Sequence, residues 1–216
     1  MMDRNLGATS TGPGHVLSLG LLYQWGRKDP FLNCMHIDKP ILAQSTLSWP
    51  SPVICDEEVG TIDFSIKNPT TFIYRNIKGS GDWHYVKDHT RWQSNKTKYD
   101  PCPAGWRVPD GGESGIWVKA RGSISIYTNP FDHVNKGVNL SGYMGSDEVI
   151  WYPATGYFGK ANGLFYGVGE HAAYPSVTPG STYGALCMVI DSDNDDMYLL
   201  YVQDLGGGDP VRCCKE

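Results

Sequence analysis

The chain has 216 residues, with 18 Lys and Arg against 23 Asp and Glu and a formal net charge of −5. Its basic residues are scattered, which leaves no electrostatic footprint for nucleic acid, and no apolar run of roughly 18 residues is present to cross a membrane as a helix. With 26 Gly, 14 Pro and 13 Tyr, the composition fits a loop-rich, β-containing fold.

A chain of this length buries roughly 70% of its unfolded surface, so it needs no covalent staples merely to fold. The start, MMDRNLGATS, carries Asp3 and Arg4 where a signal peptide would need its apolar core. The chain is therefore either cytosolic or a piece of a longer exported protein. Residues 3–9, DRNLGAT, are polar and end in a small-residue turn. Residues 17–26, LSLGLLYQWG, predict a helix: Leu17, Leu21, Leu22 and Trp25 follow helical spacing, and Gly26 suits the C-cap. Pro30 ends it.

Residues 31–98 read as long loops over a core, anchored by Trp83, Tyr85 and Trp92, with a short β-rich piece in NPTTFIYRN (68–76). In YDPCPAGWRVP (99–109), the alternation of Trp106 and Val108 predicts a short strand. ESGIWVKARG (113–122) predicts a short helix ended by Gly122. EVIWYPATGYF (148–158) predicts a strand that turns at ATG, and GLFYGVGEHAAYPSV (163–177) follows, punctuated by glycines. YGALCMVIDSDNDDMYLLYVQD (183–204) predicts a hairpin with DSDNDD as its turn. DPVRCCKE (209–216) closes as a final strand. There is no internal repeat and no linker-like shift in composition, so one domain over 1–216 is expected.

Six cysteines, at 34, 55, 102, 187, 213 and 214, include no C-x-x-C and so do not suggest structural zinc. Cys213 and Cys214 would point to opposite faces of a strand. Their Cα atoms lie about 3.8 Å apart, short of the roughly 4.4–6.8 Å that a disulfide spans. Neither a mutual bond nor a shared metal is expected of them. A bridge from Cys34 to Cys55 would tie the loop region, and Cys187, in an apolar strand, reads as a buried thiol.

Asp191, Asp193 and Asp195 alternate as in a calcium loop, but the sixth position is Asp196 rather than Gly and the twelfth is Val202 rather than Glu. A solvated turn is the preferred reading over calcium, and no cofactor is expected. The histidines, at 15, 36, 84, 89, 133 and 171, show no catalytic or metal-binding spacing. No enzyme is expected.

Six ordered segments carry a family resemblance: MDRNLGAT (2–9), GLLYQWGRKDPF (20–31), YDPCPAGWRVPDGG (99–112), WYPATGY (151–157), GLFYGVG (163–169) and VRCCKE (211–216). Together they resemble the Fibrobacter succinogenes major paralogous domain family, abundant in surface proteins of Bacteroidales. The resemblance implies an α+β, C-type-lectin-like fold: small twisted antiparallel sheets flanked by two short helices, here 17–26 and 113–122, with paired terminal strands. It implies that Cys102 and Cys213 are bonded. It implies an extracellular, cell-surface setting, the chain being the C-terminal part of a longer exported protein.

The function so implied is recognition or adhesion, as in a fimbrial tip adhesin. The partner would be a host or bacterial surface protein or glycan, or another fimbrial subunit. His171, Tyr174, Tyr183, Tyr198, Tyr201 and Gln203 lie where such a fold places its ligand face, over about 157–206. Asp193 and Asp195 would give the hairpin an acidic tip for a basic partner. On strict alternation, either Met197, Leu199, Tyr201 and Gln203 face out, or Tyr198, Leu200 and Val202 do. The first set is favoured because Gln203 wants water.

The chain departs from the family at HAAYPSV (171–177), where many relatives read YYWSAS, and it lacks the EPN, QPD and WND signatures of calcium-dependent lectins. A standard framework with an unusual ligand face also fits a second reading, a hypervariable binder diversified by a retroelement. A third is an exported metal-dependent enzyme related to the formylglycine-generating enzyme.

Overall fold

A computed structural model describes residues 1–33, 52–77, 79, 81–121, 131–140 and 150–216. In chain order, its elements begin with β1 (Leu22–Gln24), β2 (Val53–Ile54), α1 (Ile62–Lys67), β3 (Ile73–Tyr74) and β4 (Trp106–Arg107). The middle holds α2 (Ile116–Arg121), β5 (Gly137–Asn139), β6 (Trp151–Pro153), β7 (Thr155–Phe158) and β8 (Phe165–Val168). The chain closes with β9 (His171–Pro179), β10 (Gly184–Asp191), β11 (Asp196–Asp204), β12 (Gly208–Pro210) and β13 (Cys214–Lys215). The fold is α+β and sheet-rich, with short helices.

Two sheets dominate, one in the order β1-β12-β7-β8 and the other β11-β10-β9. Three two-stranded ladders, β13-β4, β2-β3 and β5-β6, sit around them. The strand near the N-terminus meets the one near the C-terminus, Leu22 opposite Pro210 and Gln24 opposite Gly208. Further main-chain bonds run from Met2 N–H to the Cys213 carbonyl and from Leu6 N–H to the Val211 carbonyl, each 2.8 Å.

The expected helix over 17–26 is not there. Val16–Ser18 makes a single 3-10 turn, and Leu22–Gln24 is strand β1, buried along its whole length. Gly20 (φ +75°) and Gly26 (φ +79°) sit in the left-handed region on either side of it. A three-residue strand buried on both faces has no alternation to read, and its leucines fell by chance at helical spacing. The helix expected over 113–122 is present as α2, while Gly122 lies outside the described residues. The expected strand breaks at ATG, between β6 and β7. The chain passes from β6, which pairs with β5, to β7, which pairs with β8 and β12, so the strand changes sheets there. The single final strand resolves into two short ones, β12 and β13, in different ladders.

One core cluster, with Trp117, Tyr152, Tyr174, Met188 and Leu199, lies against the inner face of β9–β11. A second surrounds Trp25, Trp92 and the Cys102–Cys213 disulfide. A third stacks Phe31, Phe72, Phe158 and Phe165, with ring centroids 5.2–6.2 Å apart. Large rings meeting edge-on or tilted at these distances add to their area burial.

Buried polar side chains form a framework that ties distant segments together. Asn5 donates to the Leu19 carbonyl at 3.0 Å and accepts from Arg212 Nε and Nη2 at 3.1 and 2.9 Å. Asp100 accepts from the Cys102 and Val108 amides at 2.8 and 2.9 Å and from Lys96 at 2.9 Å. Arg91 and Asp82, both fully buried, form an ion pair beneath Trp83. Buried charges persist only when paired or hydrogen-bonded, so these residues fix where distant loops must lie.

Candidate functional site

The β10–β11 hairpin forms as expected, Asp191 opposite Asp196 and Gly184 opposite Asp204. Asp191 Oδ1 accepts from the Asp193 amide at 2.9 Å, and Asp195 takes a left-handed φ of +51° to close the turn. Asp195 and Asp193 are exposed, and Asp195 Oδ1 meets His133 Nε2 at 2.6 Å. The acidic tip thus leans on the 131–137 turn. Among the described residues, no three His, Cys, Asp or Glu side chains converge on a common point.

Alternation along β11 is broken by a bulge. Val189 pairs with Tyr198 and Cys187 with Tyr201, so Met188 alone faces both Leu199 and Leu200. The extra residue shifts the pleat by one position. Met197 and Leu199 enter the core beside Met188, which corrects the expectation that they face out. Tyr198 and Tyr201, three residues apart, come to the same outer face, their ring centroids 6.4 Å apart. Neither of the two expected sets faces out as a whole.

Tyr174 is also corrected. It is 0% exposed, and its hydroxyl donates to the Pro153 carbonyl at 2.7 Å and accepts from Asn5 at 3.2 Å. A tyrosine with both ends satisfied inside the core cannot meet a ligand. His171 is half-buried, its ring 5.2 Å from Tyr157, and burial lowers its pKa. Gln203 is half-buried as well. Besides Asp193 and Asp195, the exposed members of the expected set are Tyr201, at 50%, and Tyr183, at 48%. Leu200 (36%) and Val202 (39%), the neighbours of Tyr201 in sequence, are also partly exposed.

A cleft of about 210 Å³ opens at the hairpin base, lined by Arg75, Asn76, Lys160, Tyr183, Asp204 and the backbone of Gly206, among others. Lys160 and Asp204 form an ion pair across it. The Arg75 amide donates to the Lys160 carbonyl at 2.7 Å, which ties the two cationic segments together. Sequence reasoning missed Arg75, Lys160 and Asp204. They come from segments more than forty residues apart and share no motif; only the fold assembles them.

Behind the hairpin, Asp209 on β12 is buried, and its Oδ1 has no hydrogen-bond partner among the described residues. Burial pushes its pKa up to about 8. Its charge would also act on Tyr157 and Cys187, both of which burial already pushes up.

The implied Cys102–Cys213 bond is present, with a Cα–Cα distance of 5.9 Å. Cys214, on β13 opposite Arg107, is a buried free thiol, and burial pushes it up. Cys187 is likewise buried and free, as is Cys55, whose expected partner Cys34 lies outside the described residues. No helix among the described residues is long and apolar enough to cross a membrane. No family model, curated protein or solved structure matches the chain.

Proposed function

We propose that this chain is an extracellular recognition domain, of the C-type-lectin-like kind that its sequence resembles, which binds a surface protein or glycan through the β10–β11 hairpin. The observation that carries this reading is the run Leu200, Tyr201 and Val202, each more than a third exposed on an element otherwise anchored in the core, with Tyr183 exposed at the start of the same hairpin. Contiguous exposed apolar surface marks interaction sites, and tyrosine gives large contact area with little rotamer entropy to lose. The pairing of the strands near the two termini supports the lectin-like fold. The Cys102–Cys213 disulfide supports an oxidising, extracellular setting.

Protein and glycan arrays test it. The folded chain should bind a discrete set of targets, and Tyr201→Ala should abolish that binding with little change in thermal stability. Binding that survives both Tyr201→Ala and Leu200→Asp would show that the hairpin is not the recognition surface.

A further inference from the structure

We propose that the cleft at the hairpin base binds the terminal residue of an acidic glycan, a sugar ring that bears a carboxylate. This assigns a ligand class to the surface described above and rests on that reading.

Charge is the first argument. The chain carries a net −5, yet Arg75 and Lys160 line the cleft, and Lys87 Nζ lies 5.4 Å from the centroid of the Tyr183 ring. Against them stand two acids. Asp82 is turned inward to Arg91, and Asp204 is engaged by Lys160. Arg75 is exposed and has no ion pair among the described residues. Among the described residues that line the cleft, its guanidinium is a cation with no acidic partner, and a planar fork of N–H donors matches a carboxylate bidentately.

The other walls suit the rest of a sugar. Tyr183 offers an exposed ring for the apolar C–H face of a pyranose. The Lys160–Asp204 pair offers donors and an acceptor to ring hydroxyls. The floor is bare backbone: a Cβ on Gly81 would lie 2.1 Å from Asp204 Oδ1, so a side chain there would displace the carboxylate.

Size sets the limit. At about 210 Å³ the cleft is smaller than the roughly 300–1,000 Å³ that holds drug-sized ligands. One ring fits, and the remainder of a glycan would run out over Tyr183 toward Tyr201.

The test is amide-resolved NMR titration of the isotope-labelled chain. The probes are methyl glucuronoside, methyl N-acetylneuraminoside, neutral methyl glucoside, acetate and N-acetyl-aspartyl amide, each to about 10 mM, which detects affinities near 1 mM. An acidic glycoside should shift the Gly81, Tyr183 and Gly206 amides and bind at least about ten-fold more tightly than the other three probes. Arg75→Gln should weaken that binding about ten-fold or more and leave the rest of the spectrum in place.

An equal response to acetate or to the aspartyl amide would overturn the sugar assignment. So would binding indifferent to Arg75→Gln, or no response to either acidic glycoside. Silent titrations alongside Tyr201-dependent array binding would remove the cleft proposal and leave the recognition surface standing. Silence in both experiments would remove both.

Discussion

The guanidinium of Arg212 lies 3.8 Å from the centroid of the Tyr152 ring, and Asn5, more than two hundred residues away, accepts two of its N–H groups. Arg212 Nη2 also donates to the Trp151 carbonyl at 2.6 Å. This buried charge is held by dipoles and a ring, with no ion pair among the described residues. Removing its acceptor leaves it poorly compensated, which typically costs about 3–5 kcal/mol. Asn5→Ala should therefore lower unfolding stability in urea by about that much. Tyr174→Phe, which loses one neutral donor and one acceptor, should cost about 1–2 kcal/mol. Asn5 donates to the Tyr174 hydroxyl, so the double variant should cost less than the sum.

The disulfide should matter more than any free thiol. It closes a separation of 111 residues, worth roughly 4–5 kcal/mol in the chain-entropy view and less where the reduced chain keeps structure. The double variant Cys102→Ala, Cys213→Ala should show a Tm many degrees lower. Cys214→Ala should be milder and leave the 102–213 peptide bridge intact on mapping. Burial pushes the Cys55 thiol up to about 12 and the Cys214 thiol up as well, so both should resist alkylation at pH 8 until the chain is unfolded.

Asp209 should give the fold an alkaline weakness. Its folded-state pKa is pushed up to about 8, whereas an unfolded Asp ionises near 3.9. The group therefore contributes stability that is whole below about pH 4 and lost as pH rises to about 8. Each unit across that window costs up to about 1.4 kcal/mol. Asp209→Asn, which cannot ionise, should flatten the profile, so its Tm should exceed wild type more at pH 9 than at pH 5. His171 works in the opposite sense. Burial lowers its pKa, so its contribution is present above about pH 6.5 and lost as pH falls. His171→Gln should relieve the acid limb alone.

How much of this could be read from the sequence depends on how far each feature reaches along the chain. The hairpin was legible because its turn chemistry and both apolar runs are contiguous. The α2 helix was legible for the same reason. Strand β1 was not, because three residues buried on both faces carry no period. Tyr174 could not be placed, since its hydroxyl partner, the Pro153 carbonyl, is 21 residues away on another strand. The cleft had no local signature at all. Arg75 and Lys160 meet through a main-chain bond between their loops, and Asp204 joins them from the end of β11 through its ion pair with Lys160.

The bulge on β11 gives the sharpest test of the binding face. Leu199 and Leu200 are neighbours, yet Leu199 is 2% exposed in the core and Leu200 is 36% exposed. Leu199→Ala should cost about 2–5 kcal/mol, as for a buried leucine. Leu200→Ala and Tyr201→Ala should each stay within about 0.5–1 kcal/mol of wild type. Met197→Ala should behave like Leu199→Ala, because both lie on the same side of Met188. Under strict alternation Leu199 and Tyr201 would share a face, and their alanine variants would behave alike. Chemical denaturation of the four variants decides between the two arrangements. Comparable costs at Leu199 and Tyr201 would mean that the extra residue is absent and that Tyr198 and Tyr201 do not share one face.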